Sequence, residues 1–318
     1  MNSRLVVSSV LALLLSSLAP CQTKLAGDAT TFKRDVLQRI TLLEAQARGT
    51  EAFNVEDIKV ARIYLEIGIR CEDVARWDQS ETALKHAILL FRRANESNGE
   101  LPTAITQLGS MYVAIGRLRE AEKEEVEALK MREALNNRLW IARSWADLAA
   151  LYLAKNKFAT ARDYAQKAVA ELVVNEGADA FDKVSARYGL ALALCSTKEC
   201  PSAIPLLKDA IDEARAGLPN KFLVGFGNYL LGYAYWKSGN MDDAGPLMRQ
   251  GTDDMGALLG WGHPSYVVSL RHYAQYLRED KNVAAAEVVE SRIRQAGAVV
   301  DVHSIQASSG AFSLAGLR

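Results

Sequence analysis

The sequence predicts an all-α fold, an α-solenoid of about six stacked helical hairpins. The first observation behind this prediction is a small residue that recurs every 40 to 42 residues, and the second is another small residue twelve positions before each of these. The third is the frequency of Ala, Leu, Glu, Lys and Arg, which favour helix. The two small series are Ser80, Ala121, Ala161, Ala203, Ala244 and Ala286, and Gly68, Gly109, Ala149, Ala191, Gly232 and Ala274.

Bulky residues stand at fixed distances from the small ones. Three residues after each member of the second series lie Cys71, Tyr112, Tyr152, Leu194, Tyr235 and Leu277. Residues at this spacing share one helical face, and two helices approach closely only where both present small side chains. Each unit is therefore predicted to be two helices joined by a short turn. Gly116, Asn156 and Gly239 fall at the expected turns, because Gly and Asn tolerate a left-handed backbone.

One unit carries a recognisable family pattern. In the fifth unit this pattern consists of Leu231-Gly232, Tyr235, Gly239, Ala244 and Met248. The order and spacing of these residues resemble the tetratricopeptide repeat, and the other five units, within residues 61–296, follow the same pattern. The resemblance implies a right-handed solenoid that binds proteins or peptides. The unit exceeds the usual length of about 34 residues and, with His263-Pro264, is similar to kinesin light chain repeats. Glu125 departs from the pattern by occupying an apolar position.

The N-terminal segment 1–22 has the pattern of a secretory signal peptide. One cation precedes an apolar run from Leu5 to Leu18, which is too short to span a bilayer. We therefore expect a secreted or periplasmic protein. The segment Leu18-Ala19-Pro20-Cys21 resembles a bacterial lipoprotein box, although Pro20 departs from that motif. Cys21 is therefore a candidate for a lipid anchor. The alternative is ordinary signal-peptide cleavage near Cys21 or Gln22.

Two further segments flank the repeats. Residues 28–60 are predicted to hold an N-terminal capping helix and the start of the first repeat helix, because Val36, Ile40 and Leu43 form part of an apolar stripe. Residues 297–318 are predicted to be an extended or mobile tail, because they are rich in small residues and contain few apolar ones.

Composition and motifs argue against several functions. The 38 basic and 38 acidic residues balance, so the sequence offers no charge that would attract nucleic acid, and no membrane span is expected. No nucleophile, metal or phosphate motif is recognisable, so we expect no cofactor, no metal and no enzyme. The alternative is an exported α/α-toroid glycosidase or lyase, which also stacks helical hairpins, although the repeat is short and regular for that fold.

The tetratricopeptide resemblance implies where a partner would bind. In that family the first helix of each hairpin lines the concave surface, and the candidate partner-binding residues are Tyr188, Phe226, Tyr229, Tyr233, Trp236, Arg271 and Arg278. The alternative is that the aromatic residues pack against a neighbouring unit. The set of Lys, Asn and Arg with which some relatives clamp a peptide carboxylate is not recognisable here.

Two cysteines flank the predicted turn of the fourth unit. Cys195 and Cys200 are candidates for a disulfide if the chain is exported to an oxidising compartment. The alternative is that Cys200 fills a core position as a small hydrophobic residue.

Overall fold

The structure is a computed structural model that describes residues 29–52, 56–74, 76–96, 99–217, 221–259 and 264–306. These residues form thirteen helices and no strand, which confirms the all-α helical-repeat fold. The predicted signal peptide, with Cys21, lies outside the described residues. Among the described helices, none is both long enough and apolar enough to cross a membrane.

A single helix, α1 (Ala29–Ala52), precedes twelve helices, which the repeat pattern of the sequence groups into six consecutive pairs. The pairs are α2 (Asp57–Asp73) with α3 (Trp77–Arg93), α4 (Glu100–Ala114) with α5 (Leu118–Ala134), α6 (Arg138–Ala154) with α7 (Phe158–Val174), α8 (Ala180–Ser196) with α9 (Cys200–Gly217), α10 (Lys221–Lys237) with α11 (Met241–Leu259), and α12 (Pro264–Glu279) with α13 (Val283–Gln306). The chain divides into two compact units between Leu151 and Tyr152. The N-terminal unit contains α1 to α5 and most of α6, and the C-terminal unit contains α7 to α13.

The small residues lie where the sequence predicts close packing. All six members of the first series, Ser80, Ala121, Ala161, Ala203, Ala244 and Ala286, are 0% exposed. At the crossing of α10 and α11, a Cβ atom added to Gly232 would lie 2.7 Å from the Met248 nitrogen and 2.9 Å from the Ala244 carbonyl oxygen. Both distances are shorter than a van der Waals contact, so only glycine allows these two helices to approach so closely.

The turns within the pairs have the predicted backbone. Gly116, Asn156 and Gly239 have φ of 78°, 56° and 86°, all in the left-handed region. In each turn the backbone nitrogen of the next residue donates to the carbonyl of the tyrosine near the end of the first helix, at 2.8 Å for Tyr112 and Tyr152 and 3.0 Å for Tyr235. This bond closes the helix end in the manner of a Schellman motif. The bulky series therefore also supplies the acceptors of the turns.

The two ends of the described chain differ in how well the sequence predicts them. Helix α1 packs through Val36, Ile40 and Leu43 against Ile63 and Ile67 of α2, as its apolar stripe requires. Residues 297–306, predicted as part of an extended or mobile tail, continue α13 as helix to Gln306. This stretch contains no proline, and its β-branched residues lower helix propensity by only a fraction of a kcal/mol each. Residues 307–318 lie outside the described part of the chain.

Candidate partner-binding surface

In the C-terminal unit, the first helices α8, α10 and α12 are joined by a layer of aromatic side chains. The Tyr188 hydroxyl donates to the Leu223 carbonyl at 2.9 Å, and its ring packs edge to face on Phe226 with centroids 5.7 Å apart. On the other flank of α10, the Trp236 indole nitrogen donates to Glu279 of α12 at 2.7 Å. These contacts bridge successive hairpins through their first helices.

The burial of this layer corrects the expectation that its residues are presented to a partner. Tyr188, Phe226, Tyr229 and Trp236 are 1%, 2%, 3% and 4% exposed. On α10 the residues Phe226, Tyr229, Tyr233 and Trp236, spaced by three, four and three, do share one helical face, as the sequence indicates. The buried members of that face pack against α8 and α12. The alternative in which the aromatic residues pack against neighbouring units is the one that the structure supports for the four buried residues.

His272, which the sequence did not single out, completes the layer. Its Nδ1 lies 2.5 Å from the Tyr229 hydroxyl, and the two rings are nearly parallel with centroids 6.2 Å apart. Burial, together with the charges of Lys237 and Arg271, lowers the pKa of His272 to about 3. The imidazole is therefore neutral at pH 7. Because burial raises the pKa of Tyr229, the phenol also stays protonated, so two neutral groups share this hydrogen bond.

Above this layer, α10 and α12 present four residues that reach the surface, here called the α10–α12 surface: Tyr233, Lys237, Arg271 and Gln275. Tyr233 and Arg271 are half-buried, whereas Lys237 and Gln275 are exposed. The Tyr233 ring lies 5.0 Å from the ring of His272, centroid to centroid. Lys237 Nζ lies 3.2 Å from the centroid of the Trp236 ring and 5.6 Å from that of Tyr233. Of the predicted aromatic residues, Tyr233 is thus the one that reaches solvent.

Arg278, a further predicted binding residue, is engaged within the chain. Its Nε and Nη2 donate to the two carboxylate oxygens of Glu290 on α13, at 3.1 Å and 2.9 Å. Two parallel bonds of this kind fix both side chains. Arg278 therefore joins the helices of the sixth pair, and its charge is balanced by Glu290.

Cys195 and Cys200 form a disulfide across the turn between α8 and α9, with Cα atoms 4.2 Å apart. Lys198 in this turn has φ of 69°, the left-handed conformation that Gly or Asn adopts in other pairs. Cys200 is also 3% exposed, so it fills its core position as well as bonding to Cys195. Cys71 is buried in the N-terminal unit as a free thiol.

The N-terminal unit holds a buried polar cluster around Glu125, the residue that departs from the repeat pattern. Ser110 donates to Glu125 at 3.5 Å, and Arg132 donates to Ser144 at 2.7 Å with Asp147 at 4.0 Å. Burial and the charge of Asp147 raise the pKa of Glu125 well above its ordinary value. A Cβ at Gly109 would lie 2.7 Å from the Glu125 carboxylate, so the glycine of α4 makes room for it. The cluster joins α5 to α4 and α6.

The described residues offer no site for a metal ion, since no three or more His, Cys, Asp or Glu side chains are grouped suitably among them. The remaining candidate surface consists of helix faces with aromatic and charged groups. This is the setting in which repeat proteins bind other chains.

Residues 103–138 match the family model described as tetratricopeptide repeat. The chain contains a tetratricopeptide repeat. The match covers most of α4, all of α5 and the first residue of α6. It confirms the tetratricopeptide resemblance in the second unit of the pattern, which contains Gly109, Tyr112 and Ala121. No curated protein matches the chain.

Solved structures of tetratricopeptide-like proteins share the fold. Apo RapI has a TM-score of 0.67 at 12% identity, over 85% of this chain and 94% of that chain. BtubC (BKLC) from P. vanneervenii has a TM-score of 0.56 at 14% identity, over 74% of this chain and 94% of its own. A Rap protein complexed with Competence and Sporulation Factor has a TM-score of 0.58 at 16% identity, over 88% and 84% of the two chains. The chain is therefore similar in fold to repeat scaffolds.

Proposed function

We propose that this chain is a non-catalytic scaffold that binds a protein or peptide segment on a surface formed by the first helices of its hairpins. The observation that carries the proposal is that α10 and α12 bury some of their side chains against each other and leave others at the surface. A buried aromatic layer holds the two helices together, while Tyr233, Lys237, Arg271 and Gln275 remain at the surface. Firmly supported aromatic and Arg side chains are the groups that contribute most binding energy at interfaces.

The structural relatives support the same class of partner. A Rap protein of similar fold is complexed with Competence and Sporulation Factor, and its structural match to this chain covers 84% of the Rap chain. The fold therefore accommodates a bound partner in at least one relative. At 16% identity the likeness concerns the fold, so the binding residues are argued from this chain alone.

The direct test is selection of short random peptides on the immobilised chain, followed by titration of each enriched peptide by fluorescence anisotropy. Gln275→Trp should block the α10–α12 surface and weaken binding by about tenfold or more. Gln250→Trp on α11 is the matched control, because each glutamine is exposed and donates to an acid four residues later, at 3.1 Å to Glu279 and 2.9 Å to Asp254. Equal effects of the two variants would place the site elsewhere.

The carbohydrate-active alternative makes a different prediction. An α/α-toroid glycosidase or lyase would use paired acids to cleave a glycosidic bond. Assay of the chain against a panel of polysaccharides should give no release of reducing ends above a heat-denatured sample. Turnover that disappears on substitution of a particular acid would overturn the scaffold proposal.

We propose further that the scaffold acts outside the cytoplasm, in the secreted or periplasmic space. The support is the pattern of residues 1–22 together with the Cys195–Cys200 disulfide, since such bonds persist mainly in oxidising compartments. Mass spectrometry of the mature N-terminus tests this proposal. Removal between Ala19 and Thr23 is expected, a lipid on Cys21 would establish the anchor, and an intact Met1 would contradict export.

A further inference from the structure

Two cations on the α10–α12 surface differ from most helix-surface arginines of the C-terminal unit. Those arginines reach an acid on a neighbouring element: Arg162 pairs with Glu199, Arg187 with Glu213, Arg278 with Glu290 and Arg292 with Asp253. Among the described residues, no carboxylate lies within ion-pair distance of Lys237 or Arg271. The nearby acid Glu279 is already occupied, because it accepts hydrogen bonds from Trp236 at 2.7 Å and Gln275 at 3.1 Å.

The two cations lie on successive first helices, Lys237 on α10 and Arg271 on α12. Burial and the charges of both lower the pKa of His272. Burial also lowers the pKa of Lys237, although Glu279 opposes this effect. The ammonium group thus lies against the rings of Trp236 and Tyr233, and no described carboxylate forms an ion pair with it. A charge in that position is stabilised by any anion that approaches it.

Tyr233 adds a third donor. Its ring contacts His272 and Trp236, at centroid distances of 5.0 Å and 5.7 Å, and these contacts fix its position. Within the described residues its hydroxyl has no hydrogen-bond partner, and the side chain reaches solvent. The α10–α12 surface therefore offers a phenol, an ammonium and a guanidinium, and all three are donors suited to an oxyanion.

We propose that Tyr233, Lys237 and Arg271 bind the side-chain carboxylate of Asp or Glu in an acidic segment of a partner protein. This inference rests on the proposed function and names the chemistry of its partner. A segment fits better than a small anion because the donors lie on open helix edges beside aromatic rings and are not enclosed in a cavity. A chain lying across these edges covers the donors and removes water, which strengthens each charged hydrogen bond.

The experiment uses the peptides selected on the full chain. We expect them to be enriched in Asp or Glu, and replacing the shared acid by Asn or Gln should weaken binding about tenfold. Lys237→Gln and Arg271→Gln should each cause a similar loss, and affinity should fall as salt rises. Lys208→Gln is the matched control, because Lys208 also lies over a ring, 5.7 Å from Tyr235, but on the second helix α9. It should leave the affinity unchanged.

Several outcomes separate this inference from the proposed function. If no peptide is enriched, the scaffold proposal itself fails. If peptides bind but carry no acid, or bind Lys237→Gln and Arg271→Gln as tightly as the wild type, the acidic partner is overturned and the scaffold remains. If inorganic phosphate or anionic lipid vesicles displace the peptide at equal anion concentration, the proposal that an acidic protein segment occupies this surface is likewise overturned. Tyr233→Phe keeps the ring and removes only the hydroxyl, so it tests the third donor even if larger changes unfold the unit.

Discussion

The Tyr229 hydroxyl lies 2.5 Å from Nδ1 of His272, inside the C-terminal unit. The two residues belong to the first helices α10 and α12, so their contact links the fifth pair to the sixth through buried polar atoms. A neutral imidazole shares one hydrogen bond with the phenol, whereas a protonated ring would place a charge in a buried site near the cations Lys237 and Arg271. The junction between these two pairs therefore depends on the charge state of a single ring.

The first prediction is that acid destabilises the C-terminal unit through His272. The unfolded chain binds a proton near pH 6.5, whereas the folded chain binds one only near pH 3. Folding stability contributed by His272 is therefore present above pH 6.5 and is lost as the pH falls from 6.5 toward 3. Between pH 7 and pH 5 the loss should be on the order of 2 kcal/mol. Urea unfolding measured by circular dichroism at both values provides the test.

The control for this prediction is His272→Gln, which cannot titrate but retains an oxygen that accepts the Tyr229 hydrogen bond. The variant should be less stable than the wild type at pH 7, because its packing differs, and less sensitive to the change to pH 5. Parallel losses in the two proteins would mean that His272 has an ordinary pKa in the folded chain.

The second prediction is that Trp236 contributes to stability. Trp236→Ala removes a ring that is 4% exposed, together with its bond to Glu279, and should destabilise the unit by about 3 to 5 kcal/mol. Arg249→Ala, at an exposed position on α11, is the control and should change little. Thermal melts give both values. An unchanged melting temperature for Trp236→Ala, with loss of peptide binding, would instead place the indole in an open site.

The comparison of Trp236 with Ala244 shows what the sequence predicted and what it did not. Ala244 is set by contact within its own hairpin, and such contacts recur in every repeat, so their period identifies them. Trp236 contacts the next hairpin. The spacing of residues predicts which face of α10 it lies on, but not which helix packs against that face. The disulfide was accessible from sequence because a short turn brings its two ends together. The cations Lys237 and Arg271 are singled out only when the positions of the acids are known.

The third prediction concerns the close crossing of α10 and α11. Ala244→Leu places extra atoms where Gly232 already brings the two backbones together, and should cost about 1 to 3 kcal/mol. Ala284→Leu on α13 is the matched control, because Ala284 is exposed and the same atoms would extend into water. Chemical unfolding of both variants tests the register, and equal losses would show that Ala244 does not lie at the contact.

The fourth prediction concerns Glu72 in the N-terminal unit, which accepts hydrogen bonds from Ser80 at 3.2 Å and Gln107 at 3.0 Å. Burial raises its pKa from 4.5 to about 8, although both hydrogen bonds oppose the rise. The folded chain therefore holds a proton that the unfolded chain releases, and stability falls as the pH rises from 4.5 to 8. Glu72→Gln should gain stability relative to the wild type across this window, and a constant difference between the two proteins would contradict the raised pKa.

The last prediction concerns the thiols. With Cys21→Ser removing the cysteine of the predicted signal peptide, Cys71, Cys195 and Cys200 remain. The unfolded but unreduced protein should show one reactive thiol, that of Cys71, because Cys195 and Cys200 are bonded to each other. Titration before and after reduction should raise the count from one to three. Protein made in the reducing cytoplasm is the control, since there the thiols stay free until oxidant is added. Three reactive thiols in exported, unreduced protein would mean that Cys200 acts only as a small core residue and that the disulfide is not a support for export.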